Sequence, residues 1–293
     1  MSINSIVVCN GFDTNHLKKG GEKLDYSTQI AESLTKIKTS KPIVHHITNY
    51  VTMNDCANIT LAIGASPIMA FDKNEVEEVV SFSSSLVLNI GTINQSIIEP
   101  MIIAGKKANS LNIPVILDPV GVGATKFRYS CVEQLINSIQ FSIIKGNMSE
   151  IKSISGIKTS SKGIDSDTNN DGAEDILINL ALKLKCIVCA TGKVDLITDG
   201  NLIYACNNGH YNLSRITGTG CMTASLIGAF AAVSKDSLVS TLGGISSMGI
   251  AGQVSYRSLA LNEGIGSFKV KLFDNIFNLT EEIIKKEVKI YEL

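Results

Sequence analysis

Short apolar runs alternate with longer stretches of helical period along most of the chain. Runs at 42–47, 66–70, 86–90, 114–120, 141–144 and 186–191 predict strands, and patterns at 54–63, 74–83, 95–111, 129–139, 148–155 and 173–185 predict helices. Val115-Ile116-Leu117 and Leu86-Val87-Leu88 are continuously apolar, as expected of strands covered on both faces. Strand–helix alternation implies an α/β doubly wound, mostly parallel central sheet with helices on both faces. After residue 191 the pattern changes: 194–199 and 202–206 predict a hairpin turning at Asp199-Gly200-Asn201, and the remainder reads as helical. No linker divides 26–293, which reads as one domain without a separate lid. Residues 1–25 have no period and read as a flexible N-terminal extension. Residues 158–172 read as an exposed loop. Its Asp167-x-Asn169-x-Asp171-Gly172 imitates a calcium loop, but the twelfth position is Ile178 where a bidentate Glu is needed.

Composition narrows the function classes. The 293 residues are 44 % apolar and 18 % charged with a net charge of −1, which excludes a disordered chain and gives no basic surplus for nucleic acid. Two uncharged stretches, between Arg215 and Lys235 and between Asp236 and Arg257, raise the question of a membrane span. The first opens with Thr217-Gly218-Thr219-Gly220, leaving about 14 residues of helix from Cys221. The second is rich in Ser and Gly, and neither is flanked by Trp or a basic cluster. Both predict buried helices of a soluble protein, with no membrane partner. The start of the chain lacks a signal-peptide pattern, and seven scattered cysteines suit reduced thiols in a cytoplasmic protein. Cys186 and Cys189 lie three apart on a predicted strand, so their side chains face opposite ways and hold no zinc.

In a doubly wound sheet the chemistry gathers at the carboxyl ends of the strands. The 114–120 strand ends in Asp118-Pro119-Val120-Gly121, an acid before permissive backbone. The 141–144 strand is followed by Lys145-Gly146-Asn147, with Glu150 three residues after Asn147. That spacing makes a capping box, or aims a carboxylate at a ligand. The 186–191 strand ends at Thr191. Thr217-Gly218-Thr219-Gly220-Cys221 leads into the uncharged helix, where backbone N–H groups and the helix dipole favour an anion. The same field predicts a stabilised Cys221 thiolate. His45 and His46, adjacent on a strand, point opposite ways and cannot share a metal.

Taken in order, these segments resemble the hydroxyethylthiazole kinases of the ribokinase-like fold, across about residues 40 to 270. The resemblance rests on His46-Ile47-Thr48-Asn49, Gly64-Ala65-Ser66-Pro67-Ile68-Met69-Ala70, Leu88-Asn89-Ile90-Gly91-Thr92, the 117–124 stretch, Lys145-Gly146-Asn147, Asn208-Gly209-His210 and Thr217 to Cys221. The Cys221 position usually carries a catalytic Asp in the wider superfamily. The resemblance implies transfer of the ATP γ-phosphoryl group to the primary alcohol of 4-methyl-5-(2-hydroxyethyl)thiazole, a step in thiamine biosynthesis and salvage. It further implies thiazole near Met69 and Gly218, with Asn49 and Val51 supplied by a neighbouring subunit of a homotrimer. ATP is implied near Lys145 and Thr191, and Mg²⁺ near Asp118 and Glu150. The Gly218, Thr219 and Gly220 amides are expected on transition-state phosphate oxygens, and Cys221 near the hydroxyl.

Lys145 stands where the family commonly has Arg, replacing a bidentate fork with a point charge. Two other readings stay open at this level: a ribokinase-like kinase of another small alcohol such as a pyrimidine methanol, and a non-catalytic thiazole or nucleotide sensor.

Overall fold

The apolar runs become the strands of one sheet. In a computed structural model that describes residues 25–157 and 172–293, these are β1 (Ile43–Ile47), β2 (Ser66–Met69), β3 (Ser85–Asn89), β4 (Val115–Asp118), β5 (Ile143–Asn147), β6 (Ile187–Thr191), β7 (Asp195–Thr198), β8 (Ile203–Cys206) and β9 (Ile290–Glu292). Their order across the sheet is β2-β1-β3-β4-β5-β6-β7-β8-β9. Pairing is parallel from β2 to β6 and antiparallel from β6 to β9. The carboxyl ends of β1, β3, β4, β5 and β6 therefore share one edge, and Asn89 pairs with Asp118 there while Asn147 pairs with Thr191.

Helices cover both faces. On one side lie α1 (Tyr26–Ser40), α2 (Met53–Ile63), α8 (Thr219–Ala231), α9 (Ser237–Arg257), α10 (Ile265–Phe277) and α11 (Glu281–Glu287). On the other lie α3 (Val76–Ser81), α4 (Gln95–Ser110), α5 (Lys126–Ser138), α6 (Met148–Ile154) and α7 (Ala173–Leu184). Successive strand residues alternate between these layers. Val87 and Ile116 join the α8–α9 side, and Leu86, Leu88, Val115 and Leu117 the α4–α5 side. Cys189 and Cys186 divide in the same way, as their spacing requires.

The two uncharged stretches are the buried helices α8 and α9, and among the described residues no helix is long and apolar enough to cross a membrane. Two buried hydroxyls of α9 are satisfied by carbonyls one turn back, Ser240 donating to Asp236 O at 2.8 Å and Ser246 to Leu242 O at 2.6 Å, whereas the buried Ser247 hydroxyl has no partner. A Cβ on Gly244 would stand 2.5 Å from the Ile227 backbone nitrogen, so α8 and α9 meet at a distance only glycine permits.

Four details differ from the sequence pattern. Helix α1 is amphipathic, burying Ile30, Leu34 and Ile37 behind an Asp25 cap, although the pattern singles out no helix there. Strand β9 lies in a tail that reads as helical; pairing with the exposed edge of β8 overrides local propensity. Helix α8 begins at Thr219, two residues before the expected start, because Gly218 caps it at φ 93°. Strand β5 runs on through Lys145 to Asn147, held by β6. The expected N-terminal extension, except Asp25, and the 158–172 loop with its calcium-like motif, except Gly172, lie outside the described residues.

Candidate active site

Five chain segments meet at the carboxyl edge of the sheet. Strand β3 closes on Asn89, β4 on Asp118, and β5 carries Lys145 just before its end; Asn49 follows β1, and Cys221 occupies the first turn of α8. All five side chains are buried, with Asp118 1 % and Lys145 3 % exposed. The Asn49 Nδ2 donates to Asn89 Oδ1 at 2.9 Å, and both amides donate to the Cys221 sulfur at 3.3 Å. Asn89 Nδ2 also donates to Asp118 Oδ2 at 2.7 Å. The other Asp118 oxygen is 3.5 Å from Lys145 Nζ and has no hydrogen-bond partner. Lys145 Nζ in turn donates to the Gly220 carbonyl at 3.1 Å.

Burial sets the electrostatics. It pushes the Asp118 carboxyl up to about 6, against the pull of Lys145 and reinforced by Glu150. For Lys145, burial favours loss of the proton, but Asp118 and Glu150 more than compensate and hold its pKa above the ordinary lysine value. The Cys221 thiol goes the other way from the thiolate expectation. Burial and the nearby Asp118 charge raise its pKa, outweighing Thr52, Lys145 and Asn89. Position in the first turn of a helix does not help a sulfur buried beside a carboxylate.

The turn before α8, the candidate phosphate turn, is shaped by Gly218. The first intrahelical bond of α8 runs from Met222 N to Gly218 O at 2.8 Å, so the N–H groups of Thr219, Gly220 and Cys221 have no partner inside the helix. Gly218 is required on two counts, its φ of 93° and the Thr52 side chain, which a Cβ would overlap. Thr52 is in turn held by Asn49, whose Oδ1 accepts its N–H at 3.0 Å.

Glu150 is a capping-box residue. Its two oxygens accept Asn147 N at 2.7 Å and Gly121 N at 2.8 Å, tying the end of β5 to the loop after β4. Among the described residues, no group of three or more His, Cys, Asp or Glu side chains is placed to hold a metal ion. The donor set present, a buried Asp118 oxygen without a hydrogen-bond partner and a carboxylate already engaged by backbone, fits a Mg²⁺ carried mainly on phosphate and water oxygens.

Thr191 ends β6, its hydroxyl donating to Gly146 O at 3.2 Å. Met69 ends the edge strand β2, paired with His46. Val51 is 66 % exposed and lines a cavity of about 370 Å³ with Arg215, Ile216, Thr217, Ile265 and Lys269, beside the phosphate turn. Asn49, expected to serve a neighbouring subunit, has its amide on Asn89 and Cys221 of its own chain. His45 and His46 divide as expected, towards Ala70 O and Ser225.

Asn89 and Arg128 join the candidate site although the sequence reading gives neither a role, Asn89 entering it only within a resemblance motif. Arg128 donates to the carbonyls of Ile90, Gly91 and Val120 at 2.8–2.9 Å, clamping the loops that follow β3 and β4. Its helical position gives no hint of this. Asn89 could have been found, because like Asp118 it is a polar residue closing an apolar strand.

The hydroxyethylthiazole kinase family model matches residues 34–282. The chain belongs to that family. A hydroxyethylthiazole kinase of Alkaliphilus oremlandii is 53 % identical over 92 % of this chain and all of its own. The structure of the hydroxyethylthiazole kinase protein of Pyrococcus horikoshii covers 90 % of this chain and 99 % of its own, with a TM-score of 0.82 at 37 % identity. A Staphylococcus aureus pyridoxal kinase in complex with ADP, 13 % identical, shares the fold across 86 % of this chain and 98 % of its own, with a TM-score of 0.60. As a member of the family the protein is an ATP-dependent kinase of thiamine biosynthesis with a ribokinase-like fold.

Proposed function

We propose that the protein phosphorylates the primary alcohol of 4-methyl-5-(2-hydroxyethyl)thiazole with ATP. The observation that carries this reading is the meeting of Asp118, Lys145 and Cys221 at the open N-terminus of α8. Phosphoryl transfer asks for positioning and charge neutralisation more than for a strong base. The Gly218, Thr219 and Gly220 N–H groups, joined by that of Cys221, receive the oxygens of the transferring phosphoryl group, and Lys145 adds a fixed positive charge beside them. Asp118 accepts the proton of the substrate hydroxyl or orients it, and Cys221, a neutral thiol, packs near that hydroxyl. Thr191 lies on the nucleotide side, and Met69 and Val51 on the thiazole side. Mg²⁺, when bound, would neutralise the phosphate charge, and Asp118 and Glu150 are the residues that would hold it. Exposed Tyr50 and Val51 beside the crevice support completion of the thiazole pocket by a second subunit of a homotrimer. The six described cysteines are all free, which suits a cytoplasmic enzyme.

The test is ADP release from Mg-ATP with the thiazole alcohol, in parallel with a pyrimidine methanol. Saturable turnover with the thiazole is expected. Turnover confined to the pyrimidine would replace the substrate, and thiazole binding without turnover would make the protein a sensor.

A further inference from the structure

Asn89 has every hydrogen-bonding group of its side chain in use. Gly91 N donates to its Oδ1 at 2.8 Å and Asn49 Nδ2 donates there at 2.9 Å. A backbone N–H can only donate, so the oxygen is fixed on that side and the NH₂ group must face the other way. Its two hydrogens go to Asp118 Oδ2 at 2.7 Å and to Cys221 Sγ at 3.3 Å. The residue is 3 % exposed and lies on β3, directly paired with Asp118 on β4.

One consequence concerns Asp118. With Oδ2 occupied by Asn89, the oxygen left without a hydrogen-bond partner is Oδ1, the one facing Lys145. Asn89 therefore selects which carboxylate oxygen is available to a reacting group. A second consequence concerns Cys221, whose sulfur is held between two amide donors, so that a helix side chain is registered against the sheet. We propose that Asn89 is a positioning residue for phosphoryl transfer, aligning Asp118 and Cys221 through a single amide. This rests on the kinase reading above. A merely structural Asn89 would satisfy the same buried groups with no selective effect on the chemical step.

The variant Asn89→Asp keeps the shape and the acceptor used by Gly91 and Asn49 but removes both donors. Asn89→Ser, smaller and able to admit water, is made beside it in case the first does not fold. Melting curves, kcat and both KM values are measured on the full chain with Mg-ATP and the thiazole alcohol. A folded variant is expected to lose about 100-fold in kcat with both KM values within about threefold of the parent, the signature of misplaced reacting groups. In combination with Cys221→Ala the losses should be less than multiplicative, because the two residues act together. A folded variant with kcat near the parent, KM values rising in step with lost stability, or fully multiplicative losses would overturn the proposal. An inactive parent protein would instead overturn the kinase reading.

Discussion

Lys145 and Gly220 are joined by a hydrogen bond of 3.1 Å that spans the crevice from β5 to the first turn of α8. The ammonium that offsets Asp118 is thus also a strut under the phosphate turn. Lys145→Met removes both and leaves a buried carboxylate unpaired. The cost should be about 3 kcal/mol in chemical denaturation. Adding Asp118→Leu should recover most of it. Neither variant should turn over ATP, and equal stability of Lys145→Met and the parent would show that the pair bears no structural weight.

The two glycines of the phosphate turn should respond differently to alanine. At Gly218 the added methyl meets Thr52 on a backbone of positive φ, whereas at Gly220 it meets only the end of the flexible Lys145 side chain, 3.1 Å away. Gly218→Ala is expected to cost roughly 1–3 kcal/mol in stability and to lose activity about 100-fold. Gly220→Ala should fold like the parent and keep a larger share of its kcat. Steady-state kinetics beside melting curves decide the order.

Cys221 offers a substitution that tests what the site asks of it. Its sulfur is surrounded by donors, the Asn49 and Asn89 amides, which would serve a carboxylate oxygen as well. Cys221→Asp should retain or raise turnover, while Cys221→Ala should lower kcat about tenfold. Complete loss of turnover in a folded Cys221→Asp would mean that the thiol itself is needed.

Asp195, beginning β7, accepts Gly192 N at 2.9 Å, and burial pushes its carboxyl up to about 7 against that hydrogen bond and the pull of Lys145. Unfolded, the group ionises near 3.8. The folded state then holds the extra proton between these values, so Asp195 favours folding at low pH, and that contribution is lost as pH rises through about 7. Asn in its place can still accept from Gly192. The melting temperature of Asp195→Asn minus that of the parent should therefore increase from pH 5 to pH 8. A difference independent of pH would contradict the raised carboxyl.

The sheet was legible because β3 to β6 are apolar on both faces, a pattern with few structural alternatives. Asp118, Lys145, Thr191 and the phosphate turn were legible because each lies at or next to a strand or helix end. What escaped depends on tertiary partners. Strand β9 exists because β8 offers an unpaired edge, and Arg128 matters because three carbonyls converge on it. The Cys221 ionisation was misread from helix position alone, since the opposing Asp118 comes from a strand about 100 residues away in the sequence.

The contact of Gly244 with the Ile227 backbone also bears on motion. Together with Gly228, where a Cβ would stand 2.6 Å from Val87 of β3, it packs α8 tightly between α9 and the sheet, an arrangement that resists sliding of the helix. The substrates have to come to the phosphate turn.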